Sequence, residues 1–262
     1  MDTFDFRLKY RPKRFSEVIG NKLTIRVLKN IVITGRIPSA VLFHGPPGIG
    51  KSTLSYVFPK ALNCLNFEED VCDECENCLA MDKYFPKGAW WLVNTHDCTR
   101  MNLMHLDDLI RRYFNVFPQT RIGKNIHVFD EFQRAQPQFR EKFLTEMETN
   151  RDLLLIFSLI DISRVEDAFQ QRVTILKTTR PEPEEMVSWL NRICFLEKIT
   201  VKDSEALRHL AISANFLPRE CLRLLQTISY MSNSLTLDLV QEASHDDRTI
   251  LDELQEPVVF DD

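Results

Sequence analysis

The residues Gly45-Pro46-Pro47-Gly48-Ile49-Gly50-Lys51-Ser52-Thr53 set glycines, a lysine and two hydroxyls at the spacing G-x-x-x-x-G-K-[ST]. That is the spacing of a phosphate-binding P-loop. The glycines let the backbone curl, so that its N–H groups converge on a polyphosphate. Lys51 would reach the β- and γ-phosphates, and Ser52 would offer its hydroxyl to Mg2+. The competing reading of the same residues is a glycine-containing turn with an ordinary surface lysine. The flanks favour the loop. Ala40-Val41-Leu42-Phe43 is an apolar run that suits a buried central strand, and Thr53-Leu54-Ser55-Tyr56-Val57-Phe58 opens as a helix. A helix starting there adds the positive end of its dipole to the anion site.

A second stretch ends an apolar strand in two carboxylates: Ile126-His127-Val128-Phe129-Asp130-Glu131. Asp130 would hold Mg2+ through water, and Glu131 would polarise the attacking water. Alone, an Asp-Glu pair is only a charged strand exit. Its place downstream of the P-loop makes it the Walker B candidate.

Between the two lies Cys64-x7-Cys72-x2-Cys75-x2-Cys78. This spacing suits a tetrahedral thiolate zinc site, with a tight turn presenting three sulfurs and Cys64 closing the shell. An iron–sulfur cluster and a set of free thiols are the other readings. Four thiolates leave no open coordination position, so the metal would be structural. The acidic neighbours Glu68, Glu69, Asp70, Asp73, Glu74 and Glu76 read as solvated surface, and Cys98, Cys194 and Cys221 as core residues.

A chain of 262 residues accommodates one large domain or two modest ones. Hydrophobic content of 44% and charge of 27% are those of a soluble globular protein. No apolar run has the length of a membrane span, and the first residues do not form a signal peptide. The net charge of -5 excludes a wholly basic nucleic-acid binder but not a local basic groove. Uneven cysteines argue for a reducing, cytoplasmic setting over a secreted disulfide framework. No repeat or low-complexity tract is present.

The elements that must position these residues follow from periodicity. Leu8 to Asn21 reads as an extended arm, punctuated by Pro12 and Gly20. Leu23, Ile25, Val27, Leu28 and Ile31 mark a helix closed by Gly35. Trp90-Trp91-Leu92-Val93 reads as a second strand, its paired tryptophans suited to core packing or to stacking on bases. Leu103, Leu106, Leu109, Ile110 and Phe114 mark an amphipathic helix, and Leu153 to Ser158 a buried strand. Thr179-Arg180-Pro181-Glu182-Pro183 breaks the composition and sets the domain boundary. Beyond it the chain reads as all helix, over Glu184 to Glu197, Ser204 to Ala214, Pro218 to Met231 and Leu235 to Ala243.

Together, Tyr10-Arg11-Pro12, Phe15, Val18, Gly20, the Gly-Pro-Pro-Gly-Ile-Gly-Lys-Ser-Thr loop, the cysteine quartet and the Asp-Glu pair resemble bacterial DNA polymerase III clamp-loader subunits of the gamma/tau and delta-prime type, which are AAA+ ATPases. The resemblance covers roughly residues 7 to 231. It implies an α/β fold: an AAA+ P-loop core (1–180) with a parallel sheet flanked by helices and a zinc module near 64–78. A small all-helical lid (181–244) and an acidic tail (245–262) would follow. It implies ATP, Mg2+ and Zn2+ as cofactors, and Tyr10, Arg11 and Val18 as contacts to adenine and ribose. The family's last arm residue is Gln, where this chain has Asn21. Arg172, in Gln171-Arg172-Val173, matches the arginine of the family's Ser-Arg-Cys, which enters the neighbouring subunit's site; a salt-bridged surface arginine is the alternative. Arg219 is the sensor-2 candidate, with Arg223 as its rival. Where the family strand ends in a hydroxyl pair acting as sensor 1, this chain has Leu159-Ile160, which implies slow hydrolysis. The family's collar domain has no counterpart after the lid, which reads as a truncated piece or a naturally short version.

The expected function is a clamp-loader ATPase subunit acting with other clamp-loader subunits in an oligomer, a pentameric ring, with no membrane role. The ring would grip a sliding clamp and the phosphate backbone of primer–template DNA during replication, binding salt-sensitively and without sequence specificity. A poorly hydrolysing, stator-like scaffold that donates Arg172 is a second reading. An AAA+ ATPase of another DNA-processing pathway, such as branch migration or mobile-element targeting, is a third.

Overall fold

Alternate residues of each apolar run face opposite ways, and this parity builds a core on both sides of one sheet. The computed structural model describes residues 5–114 and 116–244. Five parallel strands form the sheet: β1 (Ala40–His44), β2 (Asn94–Asp97), β3 (Asn125–Asp130), β4 (Leu153–Leu159) and β5 (Thr174–Lys177). Their spatial order is β2-β3-β4-β1-β5. Val41, Phe43, Ile126, Val128, Leu154 and Ile156 enter one core layer. Ala40, Leu42, Phe129, Leu155, Phe157 and Leu159 enter the other. Central strands buried on both faces explain why β1, β3 and β4 read as near-continuous apolar runs.

Helices among the described residues frame the sheet and the C-terminal region: α1 (Phe6–Lys9), α2 (Lys22–Thr34), α3 (Lys51–Asn63), α4 (Glu76–Lys83), α5 (Leu103–Leu109), α6 (Pro137–Thr149), α7 (Asp167–Gln170), α8 (Pro183–Leu196), α9 (Ser204–Ser213) and α10 (Pro218–Met231). Residues 237–244 are also helical. Contacts divide the chain into two units. One is Pro12–Thr179, which holds the sheet; the other joins residues 5–11 to residues 180–244. In the second unit the Phe6 N–H donates to Gln226 Oε1 at 3.1 Å, and Lys9 Nζ pairs with Glu197 at 2.7 Å. The acidic segment 245–262 lies outside the described residues.

Three sequence expectations need correction. The second strand is Asn94–Asp97, not Trp90 to Val93. The N–H groups of Leu92 and Val93 turn back onto Ala89 O, at 2.8 and 2.9 Å, so this apolar segment is a turn that sends Leu92, Val93 and part of Trp91 into the core layer that α3 covers, while Trp90 is exposed. The true strand is polar because it lies at a sheet edge and pairs only with β3. Second, the arm is not simply extended: α1 and a 3-10 turn at Phe15–Glu17 interrupt it. Third, the C-terminal unit is not all helix. Thr200–Val201 (β6) pairs in parallel with Ser234–Leu235 (β7). The helix begun by α5 also widens into a π turn at Ile110–Phe114.

Two helices of the second unit, α8 and α9, end in left-handed caps. After α8, the Ile199 N–H donates to Cys194 O at 2.8 Å and the Lys198 N–H to Phe195 O, closing the helix with Lys198 at φ 58°. After α9 the same geometry recurs with Asn215 at φ 51°. Glycine takes this conformation without the Cβ clash that an L-residue meets. Lys198 is exposed, so its side chain contributes no core packing. Lys198→Gly is therefore expected to stabilise this unit by about 1 kcal/mol, read by urea unfolding followed through Trp189 fluorescence.

Candidate nucleotide site

Gly45 leaves β1 at φ 146°, pressed onto the end of β5. A Cβ at this position would lie 2.4 Å from Thr178 Oγ1 and 2.8 Å from Thr178 O. Thr178 is itself fixed, its N–H and hydroxyl both donating to His44 O at 2.8 and 2.9 Å. Gly50, at φ 106°, turns the chain into α3, and Lys51 is the first residue of that helix. Lys51 Nζ folds into the loop, donating to Gly45 O at 2.8 Å and Pro46 O at 2.7 Å. Ile49 is buried, while Pro46 and Pro47 form the exposed rim and Gly48 lies between them and Ile49. The loop thus offers what the sequence predicts: a cationic group and the N-terminus of a thirteen-residue helix, Ser52 and Thr53 in its first turn. Burial, then the nearby Lys177, holds the His44 imidazole below its ordinary pKa, so it stays neutral beside the loop at pH 7.

Asp130 sits at the end of β3 on the face that α3 covers. Its Oδ2 accepts from Ser52 Oγ at 3.0 Å, which brings the two expected Mg2+ ligands together. Its Oδ1 accepts from Ser158 Oγ and, at 3.0 Å, from the Glu131 N–H. A serine hydroxyl and an aspartate carboxylate converging beside a lysine form an all-oxygen donor set that fits Mg2+. Glu131 leaves the strand at φ 55°. Cys98, nearby, is pushed up to about 12 by burial and then by Asp130, so it stays a thiol. Leu159-Ile160, where the resemblance places sensor 1, carries no hydroxyl; the hydroxyl that reaches Asp130 stands one position earlier, at Ser158, which the sequence motifs do not single out. Parity was the available signal: Ser158 shares the α3-facing side of β4 with Leu154 and Ile156, whereas Leu159 faces the other layer.

Asn21 joins the arm to this loop. It is almost fully buried at φ 55°. Its Nδ2 donates to Ile49 O at 3.3 Å and its Oδ1 accepts from the Thr179 N–H at 2.8 Å. Val18 packs on the α3 layer of the same unit. Tyr10 and Arg11 belong to the helical unit, where the Tyr10 hydroxyl donates to Glu197. Arg172 follows α7, with Nε 2.6 Å from Glu148 Oε1 and Nη1 donating to Ala168 O. Arg219 is exposed in the first turn of α10, and Arg223 pairs with Glu220 at 2.8 Å.

The four thiols of Cys64, Cys72, Cys75 and Cys78 lie within 4.8 Å of one another. Burial raises the pKa of Cys64 and Cys78, whereas at Cys72 the N–H groups of Glu74 and Cys75 outweigh burial and lower it to about 6. Four sulfurs this close fit one tetrahedral thiophilic cation. The module also grips the arm. Asp70 accepts from the N–H groups of Phe15 and Ser16 at 3.0 and 2.8 Å, and Arg14 pairs with Asp73 at 2.7 Å. Buried Lys60 joins Asp73 and Asp82 beneath it, at 2.7 and 2.8 Å. Burial lowers the Lys60 pKa, but these hydrogen bonds outweigh it and the net shift is upward.

The family model of the DNA polymerase III delta subunit matches residues 20–112. DNA polymerase III subunit gamma/tau of Mycoplasma pneumoniae is 27% identical over 232 residues, 88% of this chain and 33% of that protein. The chain is a relative of the DNA polymerase III clamp-loader subunits. It spans about a third of the length of that gamma/tau relative. Protein STICHEL of Arabidopsis thaliana is 28% identical over 243 residues, 90% of this chain and 19% of that protein. The Thermotoga maritima RuvB Holliday junction branch migration motor superposes with a TM-score of 0.68 at 16% identity, over 94% of this chain and 80% of that one. At that identity the likeness shows the fold alone, a parallel sheet flanked by helices.

Asn21, where the resembling family has Gln, bridges the loop and the end of the sheet unit from a left-handed backbone. Asn21→Ala removes the partner of the buried Ile49 carbonyl and of the Thr179 N–H, and it puts a Cβ-bearing residue that lacks Asn's local hydrogen bonding at φ 55°. It is expected to cost about 2–3 kcal/mol of stability, measured by chemical denaturation.

Proposed function

We propose that the chain is the nucleotide-binding part of a clamp-loader subunit that binds and hydrolyses ATP. The observation that carries this is the 3.0 Å contact between Ser52 Oγ and Asp130 Oδ2, with Lys51 in the adjoining loop. In this reading Lys51 and the α3 N-terminus bind the phosphates, and Ser52 and Asp130 hold Mg2+. Held there, Mg2+ would supply charge neutralisation for the transferring phosphoryl group. Glu131 orients and deprotonates the attacking water. Val18, Tyr10, Arg11 and Arg219 are further nucleotide contacts in this reading, and residues 181–244 are the lid. Arg172 leaves Glu148 for the site of a neighbouring subunit. Cys64, Cys72, Cys75 and Cys78 hold Zn2+, which supplies a structural cross-link.

The partners are other clamp-loader subunits in a ring, a sliding clamp, and primer–template DNA bound through its backbone, in the cytoplasm. No described helix is long and apolar enough to cross a membrane. The stator-like scaffold is the second reading, favoured by one observation: Leu159 and Ile160 offer no polar side chain at the end of β4. Branch migration gains nothing from the RuvB likeness, which concerns the fold.

Two experiments test the proposal. ATP titration calorimetry should show binding by the wild type and none by Lys51→Ala. Steady-state hydrolysis should rise with protein concentration and primed DNA, and fall in Arg172→Ala at nearly unchanged ATP affinity. Binding without turnover, with partner subunits supplied, would favour the scaffold. Elemental analysis should find one zinc per chain. Its removal by chelator should lower the melting temperature, whereas iron or no metal would remove the zinc assignment.

A further inference from the structure

Glu131 departs from β3 in the left-handed region, so the strand does not aim its carboxylate. Its side chain is 40% exposed, and its ion pair with Arg134, at 3.9 Å, is of the exposed kind that holds little in place. The group that grips it is Gln133. Gln133 Nε2 donates to Glu131 Oε2, and Gln133 Oε1 accepts from the Ile160 N–H at 3.3 Å.

Both ends of this amide rest on fixed structure. Gln133 belongs to the 3-10 turn Phe132–Arg134, and Phe132 is fully buried with its ring 4.4 Å from that of Phe157 and 5.2 Å from that of Phe169. At the other end, Leu159 O accepts from the Gly45 N–H at 3.3 Å. A continuous path therefore runs from the first P-loop residue through Leu159 and Ile160 to Gln133 and on to the Glu131 carboxylate. The side chains at 159 and 160 cannot serve this path. Leu159 is buried in the phenylalanine-rich layer, and Ile160 is aliphatic.

We propose that Gln133 is the positioning residue that sets the Glu131 carboxylate relative to the P-loop, through the backbone at Leu159 and Ile160. The inference rests on the ATPase reading above. An amide suits the task because it offers a donor to the carboxylate and an acceptor to the N–H at one end of a side chain. Glutamate keeps only the acceptor and adds a like charge beside Glu131. Methionine keeps the length and neither polar group.

The test is steady-state ATP hydrolysis by the full chain and its Q133M and Q133E variants, with ADP affinity measured on each by calorimetry. Thermal melts followed by circular dichroism report folding. Q133M is expected to lower kcat about tenfold, with KM and ADP affinity within about twofold of wild type. Q133E should fall at least as far, and it carries the comparison if Q133M loses its cooperative melt. Unchanged kcat in the folded variants overturns the proposal. So does a rise in kcat, which would make the amide a restraint, and so does a parallel loss of nucleotide affinity, which would make Gln133 a prop of the loop. Wild-type chain that binds nucleotide without turnover removes the ATPase reading itself, and this inference with it, an outcome distinct from any difference among the variants.

Discussion

One carboxylate holds the site together. Asp130 accepts from Ser52 on α3, from Ser158 on β4 and from the Glu131 backbone. Hydrogen bonds to a carboxylate are stronger than neutral ones, and an acceptor with two oxygens can tie several elements at one point. Here it ties the helix that ends the P-loop to two strands of the sheet. The loop itself rises from β1, beyond β4, and is also held by the Gly45 N–H on Leu159 O and by Asn21 on Ile49 O, but the Asp130 tie is the one that joins the start of α3 to β3. The dense aromatic layer on the opposite face, where Phe129 stacks on Phe157 and Phe132, Phe143 and Phe169 meet these rings edge to face or tilted, keeps β3 and β4 from shifting against each other.

A second set of ties links the arm to the rest. Asp70 and Asp73 of the cysteine module receive Arg14, Phe15 and Ser16, while Asn21 bridges Ile49 and Thr179. The module is thus more than a cross-link of its own turn. Lys60, buried between Asp73 and Asp82, makes it continuous with α3, since loss of either carboxylate would leave an ammonium group poorly compensated in the interior. Cysteine turn, arm and P-loop helix form one connected polar framework beneath the apolar layer.

Much of this was legible in the residues alone. The P-loop, the Asp-Glu strand end and the cysteine spacing each combine residue type with interval, and chemistry constrains both. Strands β1, β3 and β4 were legible because central strands of a parallel sheet must be apolar throughout. The edge strand was not, since Asn94-Thr95-His96-Asp97 draws its conformation from pairing with β3 and carries no periodic signal, while Trp90 to Val93 imitates a strand and is a packed turn. Ser158 was hidden for a related reason: its importance lies in which face of β4 it occupies, and that follows from register against β1 and β3. The β6–β7 pair and the left-handed caps at Lys198 and Asn215 depend on tertiary closure and lack the glycine that usually announces them.

The strand order also bears on how the chain is made. β1 is flanked by β4 and β5, so its hydrogen-bonding edges find no partner until residues 153–159 and 174–177 have been synthesised. At ribosomal rates of roughly 5–20 residues per second, the stretch from residue 44 to residue 174 takes on the order of ten seconds. Throughout that interval the most apolar strand near the N-terminus, together with the nascent P-loop, has both edges open. The nucleotide loop is therefore among the first parts translated and among the last to be structurally confined, and the exposure to aggregation falls on the nascent chain during translation.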